Sequence, residues 1–232
     1  MKTINGNGKH EDKKSPMLQQ EKAEIKIAGF GGQGVILSGI ILGKAACIFE
    51  GLNSTLIQSF GPEARGGACS AQVVVSPQPI NYPYIKEADI LVVMSQEAFR
   101  LFSPGVRKGG LILYESELVD IKNCPEMIRC YGVPATSMAE EIRSKILLNI
   151  VMLGFYTAFT RDIVSAESMR KSIKRSVPTG TESFNLRAFT RGYRYGKDLL
   201  KKESSNCGKS DNSKPGNGNN NSRSKEGKSH DA

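Results

Sequence analysis

A run of glycines lies where a predicted strand meets a predicted helix. It reads GFGGQG over 29–34, after the alternating segment 24–28 and before a helical pattern over 35–49. Glycines at such a junction allow a tight turn and let a ligand approach the positive N-terminus of the helix. The pattern favours contact with a phosphate or another anion, and a turn that only permits strand–helix packing is the alternative. The residues concerned are Gly29, Gly31, Gly32, Gln33 and Gly34.

A second loop combines glycines with two charged side chains of opposite sign. It separates the predicted strands 55–59 and 71–76. Loops at the carboxyl ends of parallel strands line the binding crevice of an open sheet, so we expect this loop beside the first, where Arg65 would offer a planar fork to an anion. A surface pair between Glu63 and Arg65 is the alternative. As an interface or active-site loop it comprises Gly61, Pro62, Glu63, Arg65, Gly66 and Gly67.

The segment after the glycine loop argues against a classical dinucleotide site. Such a site needs an acidic residue at the end of the second strand, about 20 residues beyond the glycines. The corresponding segment, 53–58, reads NSTLIQ and contains no carboxylate. An independent nucleotide-binding protein therefore remains an alternative function, but binding of NAD or FAD is disfavoured.

The composition excludes several catalytic classes. Both histidines, His10 and His230, lie in the segments 1–20 and 203–232, which have too few apolar side chains to form a core and are predicted to be disordered. A Ser–His–Asp hydrolase, a histidine base and a histidine-ligated zinc site are thus excluded from the folded part. We assign no catalytic residue and no metal ligand to this chain.

The cysteines and the apolar segments indicate a reduced, cytoplasmic setting. The five cysteines form no CxxC pair, so iron–sulfur ligation by this chain alone is not expected. Cys69 is predicted to be a small buried residue. The N-terminus lacks a secretory pattern, and the longest apolar stretch, around 146–159, is too short to span a bilayer. We expect a cytoplasmic protein without membrane contact.

The basic charge of the chain is local. The formal net charge is +9, and residues 161–202 alone contribute +7. Arg187, Arg191 and Arg194 form one ridge of the last predicted helix, and Gly192 and Gly196 on another side suggest close packing. A solvated face is the default for the ridge, and a phosphate or an acidic subunit would fit it. A nucleic-acid-binding module is an alternative function, but the helix carries no recognised motif and we expect no nucleic-acid partner.

Strands alternate with helices, which predicts an α/β fold: a mostly parallel sheet with helices on both faces, Rossmann-like, in one domain over 21–202. The apolar run 89–94 is typical of a central strand, and 127–131 is predicted as an edge strand. Ser95 is expected to cap the helix 96–102 or to face the crevice. A capping box formed by Ser137 and Glu140 should open a long helix to about residue 160. Further helices are expected over 165–175 and 182–202.

Several segments together resemble the gamma subunit, or gamma domain, of the 2-oxoacid:ferredoxin oxidoreductases. The resemblance covers about residues 22–200. Within the family, the form GPEARGGAC resembles the 2-oxoglutarate branch, since the pyruvate branch tends to read GPERRGAP there. The matching stretches are AGFGGQGVILSGIILGKAA (28–46), QSFGPEARGGACSAQVVVS (58–76), the YP-x-I segment at 82–85, ADILVVMSQEAF (88–99), NIVMLG (149–154) and ESFNLRAFTRGY (182–193).

The resemblance implies a non-redox subunit of an enzyme that converts a 2-oxoacid and coenzyme A to acyl-CoA and CO2 and reduces ferredoxin. The partners would be alpha, beta and delta-type subunits, with ferredoxin reached through the complex. Thiamine diphosphate and Mg²⁺ would lie on the alpha and beta subunits, and [4Fe–4S] clusters on the beta and delta-type subunits. This chain would cover the active-site entrance and help bind coenzyme A, its one candidate ligand. The amides of Gly31, Gly32, Gln33 and Gly34, with Arg65, are the candidates for its phosphate-bearing end. Pyruvate or a branched-chain 2-oxoacid is the alternative substrate.

Overall fold

The computed structural model describes residues 22–60, 67–142 and 144–207. The predicted N-terminal tail and residues 208–232 lie outside this part of the chain. The strands are β1 Ala23–Phe30, β2 Asn53–Ser59, β3 Ala68–Ser76, β4 Ala88–Val93, β5 Val106–Glu115 and β6 Arg129–Val133. The helices are α1 Val35–Lys44, α2 Gln96–Phe102, α3 Ala135–Glu140, α4 Leu148–Phe159, α5 Ala166–Lys174 and α6 Glu182–Cys207. A π-helical turn, Ala45–Phe49, continues α1.

The six strands form one sheet in the order β2-β3-β1-β4-β5-β6. Strands β1, β4, β5 and β6 run parallel, whereas β3 is antiparallel to both of its neighbours, β1 and β2. The prediction of an α/β fold with a mostly parallel sheet is confirmed, and β6 is an edge strand as expected. The sequence did not predict the reversal of β3, because the direction of a strand depends on its connection rather than on its own residues.

Side chains on the two faces of the sheet pack against different helices. Ile27 and Val92 face the larger core, which the apolar residues of α1, α4, α5 and α6 complete. Ala28 and Val93 face the opposite side, where α2 supplies Ala98. All six residues of β4 are buried, because this strand lies in the middle of the sheet with helices on both sides.

Helices α4 and α6 approach each other closely enough for their backbones to touch. A Cβ atom built on Gly154 would overlap the Phe189 carbonyl oxygen, and one built on Gly192 would overlap the Val151 carbonyl oxygen. The predicted close packing of the glycine face of the last helix is confirmed. Glycine is required at these two positions because any side chain would force the helices apart.

The capping box predicted for Ser137 and Glu140 is wrong. Helix α3 begins at Ala135, so Ser137 lies inside its first turn, and both its N–H and its hydroxyl donate to the carboxylate of Glu117. Side chains of this kind bond to whichever partner the fold brings near, and here that partner comes from the loop after β5. The predicted single helix to residue 160 is also wrong, since α3 ends at Glu140 and α4 begins only at Leu148.

Two cysteines depart from the expected reduced state. Cys124 and Cys130 form a disulfide bond, with their Cα atoms 5.9 Å apart. The turn that leads into β6 brings the two residues within the separation that a disulfide requires. The separation of six residues between the two cysteines could not predict this bond, because a segment of that length can equally well be extended, with its ends too far apart.

The last helix continues beyond the predicted end of the domain at residue 202, to Cys207. Its extension contacts the sheet, because the Tyr131 hydroxyl donates to the Glu203 carboxylate over 2.9 Å. No helix in the described ranges combines the length and the apolar character needed to cross a membrane.

Candidate anion-binding site at the glycine loop

The glycine loop joins β1 to α1 and exposes its backbone. Gly32 and Gly34 adopt positive φ angles of 96° and 76°, which side chains other than glycine rarely tolerate. Gly31 and Gly32 are exposed, and a Cβ atom built on either would meet no atom within 4 Å. A ligand could therefore approach the backbone here without displacing atoms of the described residues.

Helix α1 begins without a side-chain cap. Gly34 is its N-cap, its first turn contains no acidic residue, and no side chain of the cap residue accepts from the N–H groups of this turn. In the described part of the chain, the N–H groups of Gly32, Gly34 and Val35 have no hydrogen-bond acceptor. Unpaired amides at the positive end of a helix dipole attract anions.

Gln33 supports the loop instead of facing a ligand. Its side-chain oxygen accepts from the Phe30 N–H over 2.7 Å, and its side-chain nitrogen donates to the Met94 carbonyl over 2.9 Å. Its own N–H donates to the Phe30 carbonyl. Gln33 thus ties the loop to the ends of β1 and β4, so the prediction that its amide could bind a ligand disagrees with the structure. Met94 lies 61 residues from Gln33 in the sequence, so local residue spacing could not predict this bond.

Asn149 of α4 also holds the glycine loop. The sequence analysis did not select it as a site residue. It lies in the first turn of α4, is buried, and donates its side-chain N–H to the Gly34 carbonyl over 3.2 Å. A Cβ atom on Gly34 would stand 2.5 Å from the Asn149 amide nitrogen. The available signal was a polar residue near the start of a mostly apolar helix, because such a residue needs a partner when buried.

The second loop reaches the glycine loop at its one described residue. The Gly31 N–H points at the Gly67 carbonyl, with nitrogen and oxygen 3.4 Å apart. Gly61, Pro62, Glu63, Arg65 and Gly66 lie outside the described residues. Phe60, on the other side of this segment, follows β2 and is 69% exposed. The two loops thus begin at the same edge of the sheet.

Other polar groups at this edge organise the backbone. Ser95 caps α2 by accepting from the Ala98 N–H, so the predicted capping role is confirmed. Glu115, fully buried at the end of β5, was missed by the sequence analysis. Its carboxylate accepts from the N–H groups of Glu117, Leu118 and Thr136 at 2.5–3.0 Å. All of these bonds hold backbone segments together. The only sign of Glu115 in the sequence was a carboxylate at the end of an apolar strand.

Cys69 is buried in β3, opposite Gly29 of β1, as predicted. Burial raises the pKa of its thiol above the usual value of 9.0. A thiol with a raised pKa is protonated at neutral pH and is a poor nucleophile. Cys69 therefore packs next to the glycine loop and supplies no chemistry to it.

The arginine ridge of α6 is only partly paired. Arg191 forms an ion pair with Glu141, whereas Arg187 and Arg194 are exposed. This pairing fits a solvated basic face better than a built anion site.

A cleft of about 950 Å³ lies at the opposite end of the strands from the glycine loop. At its base Arg107 pairs with the buried Asp89, with Nε and Oδ1 2.8 Å apart, and Asp89 also accepts from the Glu24 N–H. Burial is the main cause that raises the pKa of Asp89. Tyr82 and Tyr84 line its exposed rim. The charged groups at the base are already paired, so this cleft offers less to an anion than the glycine loop does.

Comparisons with known proteins identify the family. A family model described as pyruvate ferredoxin/flavodoxin oxidoreductase matches residues 24–195. The chain is 47% identical over 180 residues to 2-oxoglutarate synthase subunit KorC of Methanocaldococcus jannaschii, an alignment that covers 77% of this chain and 96% of KorC. The gamma subunit of a keto/oxoacid ferredoxin oxidoreductase from Geobacter sulfurreducens matches with a TM-score of 0.69 and 34% identity over 77% of this chain and 97% of that one.

A third comparison gives a relative with ligands. The 2-oxoglutarate:ferredoxin oxidoreductase of Magnetococcus marinus was solved with 2-oxoglutarate, coenzyme A and succinyl-CoA bound. It matches with a TM-score of 0.70 and 25% identity over 78% of this chain and 32% of that one. The chain described here therefore belongs to the pyruvate ferredoxin/flavodoxin oxidoreductase family. It is the gamma subunit of a 2-oxoacid:ferredoxin oxidoreductase, similar to subunits of 2-oxoglutarate synthase, as its sequence motifs predicted.

Proposed function

We propose that this chain helps to bind coenzyme A and covers the active-site entrance in an oxidoreductase specific for 2-oxoglutarate. The complex would convert 2-oxoglutarate and coenzyme A to succinyl-CoA and CO2, and the electrons released would reduce ferredoxin. The observation that carries the proposal is the pair of N–H groups of Gly32 and Gly34 at the start of α1, which have no acceptor among the described residues, with Gly32 itself exposed.

Coenzyme A suits this site because its nucleotide end carries phosphates. The exposed amides and the dipole of α1 would bind a phosphate oxygen through the backbone alone. The open space above Gly31 and Gly32 would admit it without rearrangement. The Magnetococcus marinus relative, solved with coenzyme A and succinyl-CoA bound, supports this choice of ligand.

Arg65 would supply the charged contact. It belongs to the loop that resumes at Gly67, and Gly67 lies against Gly31. A guanidinium fork binds phosphate through two parallel hydrogen bonds and gives a specificity that a backbone amide lacks. Together, Arg65 and the glycine amides would hold the phosphate-bearing end of coenzyme A, while Gly61, Pro62, Glu63 and Gly66 would shape the loop at the active-site entrance.

The choice of 2-oxoglutarate rests on similarity. Identity to KorC reaches 47% over nearly all of that subunit. Pyruvate and branched-chain 2-oxoacids are the alternatives, because side-chain recognition would lie mostly on partner subunits.

The remaining chemistry would belong to the partners. Alpha and beta subunits would hold thiamine diphosphate, which would supply the electron sink that decarboxylation of a 2-oxoacid requires, together with Mg²⁺. Beta and delta-type subunits would hold the [4Fe–4S] clusters that pass electrons to ferredoxin. In the described ranges no three His, Cys, Asp or Glu side chains cluster in a way that could hold a metal ion. The role proposed for this chain is non-redox.

Isolation of the native complex tests the substrate and the partners. The tagged chain is recovered from anaerobically grown source cells, and the eluate is assayed for CoA-dependent reduction of a viologen dye. We expect co-purified subunits and activity with 2-oxoglutarate well above that with pyruvate. Higher activity with pyruvate would overturn the substrate assignment, and a chain that elutes alone without activity would overturn the subunit role.

The role in binding coenzyme A is tested with Arg65→Ala in the assembled complex. Loss of a charge-assisted contact should raise the KM for coenzyme A about tenfold or more. The KM for the 2-oxoacid serves as the internal control and should not change. An unchanged KM for coenzyme A would remove Arg65 from the proposed site.

A further inference from the structure

We infer that Asn149 is a positioning residue for the glycine loop and thereby sets the affinity of the complex for coenzyme A. The inference rests on the proposed function, since it assumes that this loop binds the coenzyme. It adds a residue that lies 115 positions from the loop in sequence and would act on the coenzyme only through the loop.

The Gly34 carbonyl is the point where the loop is held. This oxygen accepts from the Ser38 N–H over 2.9 Å, from the Ser38 hydroxyl over 3.0 Å and from the Asn149 side chain over 3.2 Å. Both bonds from Ser38 come from α1 itself and move with the helix. The bond from Asn149 is the one that ties this carbonyl to a different helix.

The orientation of the Gly34 carbonyl decides where the neighbouring amides point. Gly34 adopts a left-handed conformation, with φ 76° and ψ 21°. Because glycine has no Cβ, this is only one of many backbone conformations open to it. The Gly34 carbonyl shares a peptide plane with the Val35 N–H, so rotation about ψ of Gly34 would turn that N–H together with the carbonyl. A hydrogen bond to the carbonyl removes that freedom before any ligand arrives, and preorganised donors bind more tightly than mobile ones.

Asn149 is itself rigidly placed. It is 2% exposed, at the start of α4, and α4 is locked to α6 by the backbone contacts at Gly154 and Gly192. Leucine would pack as well as asparagine in a helix whose neighbouring residues are apolar and buried. A buried amide is costly unless it is bonded, so its presence at the one place where it reaches the loop indicates a specific task.

The test uses two variants and one control in the assembled complex. Asn149→Leu removes the donor while keeping the number of side-chain heavy atoms, and Asn149→Asp keeps the shape but places an acceptor against the carbonyl. Thr157→Val is the matched control, because Thr157 is a buried polar residue of the same helix that bonds only to the Leu153 carbonyl. Hydrogen–deuterium exchange of the peptide 28–37 is measured together with the kinetics.

We expect both Asn149 variants to raise deuterium uptake in 28–37 and to raise the KM for coenzyme A about five- to tenfold, the effect of losing one positioning hydrogen bond. The kcat at saturating coenzyme A and the KM for the 2-oxoacid should stay within about twofold of wild type. Thr157→Val should change none of these. Asn149→Asp keeps the test valid if Asn149→Leu does not assemble.

Two results would overturn the inference and are distinguishable from failure of the proposed function. If Arg65→Ala raises the KM for coenzyme A but neither Asn149 variant does, the loop binds the coenzyme and Asn149 does not position it. If uptake in 28–37 is unchanged in both Asn149 variants, the anchor itself is absent. If neither Arg65→Ala nor the Asn149 variants move the KM, both proposals fail together.

Discussion

Gly192 of α6 lies directly on the carbonyl oxygen of Val151 in α4, with no room between the two backbones for even a methyl group. The contact is far from the glycine loop in sequence, yet it fixes α4, whose first turn carries Asn149. The fold therefore connects the proposed coenzyme site to the last helix through a glycine contact.

Gly192→Ala should lower the stability of the chain by about 1–3 kcal/mol, because the added methyl overlaps the Val151 carbonyl. Helix propensity alone predicts the opposite sign, since alanine in a helix is favoured over glycine by about 1 kcal/mol. Gly43→Ala is the matched control, because its Cβ would meet only the Ser54 hydroxyl, at 3.3 Å. Urea denaturation decides the sign, and a stabilised Gly192→Ala would contradict the described packing.

Glu115→Gln should destabilise the chain by about 2–3 kcal/mol, since a buried carboxylate that accepts three backbone N–H groups would be replaced by an amide with one acceptor oxygen. Glu126→Gln, an exposed change of the same kind, should be within about 0.5 kcal/mol of wild type. Equal effects of the two substitutions in urea denaturation would show that the Glu115 bonds add nothing.

Asp89 should make the stability of the chain depend on pH in an unusual direction for a carboxylate. Burial raises the pKa of Asp89, so the folded state takes up this proton before the unfolded state does as the pH falls. The contribution of Asp89 to stability is therefore greatest at acid pH and decreases as the pH rises through its raised pKa.

This dependence is measured by urea denaturation of wild type and Asp89→Asn between about pH 4 and 7. The free energy of unfolding of the wild type, relative to Asp89→Asn, should increase toward acid pH. Asp198→Asn, at an exposed position of α6, provides the control for nonspecific effects of charge. A difference that decreases toward acid pH would show that the pair with Arg107 outweighs the burial of the carboxylate.

Cys47 and Cys69, which are both free thiols, should react at different rates. Cys47 is exposed, whereas Cys69 is buried and burial raises its pKa. Iodoacetamide at neutral pH should label Cys47 rapidly and Cys69 only after unfolding, as read by peptide mass mapping. Rapid labelling of Cys69 in the native chain would mean that β3 opens next to the glycine loop.

The sequence predicts those helices and strands that are determined by their own residues rather than by contacts with distant segments. The bounds of α2 agree in full, and β1 and β4 are close, because apolar runs and the Ser95 cap are local signals. The glycine loop was also recognised locally. The direction of β3, the bond from Ser137 to Glu117 and the split of the predicted long helix depend on segments that meet only in the folded chain.

The site shows the same division. Gly32 and Gly34 were predicted to lie in a tight turn because they are glycines. In the structure both adopt the positive φ angles that such a turn needs. Gln33 was assigned a ligand contact through its backbone amide, but that N–H donates to the Phe30 carbonyl, and the side chain donates to the Met94 carbonyl just after β4. The anchoring bond of Asn149 crosses 115 residues and is invisible to any local pattern.

Gly31→Ala in the assembled complex tests whether coenzyme A approaches the glycine loop. Gly31 has no positive φ angle, and a Cβ atom there meets nothing within 4 Å, so the substitution should leave folding unchanged. The same holds for Gly105, which lies outside the loop, and Gly105→Ala is the control. We predict that Gly31→Ala raises the KM for coenzyme A at least about fivefold by blocking backbone approach, with the KM for 2-oxoglutarate and the melting temperature unchanged. A KM for coenzyme A equal to that of Gly105→Ala would mean that the loop does not bind the coenzyme.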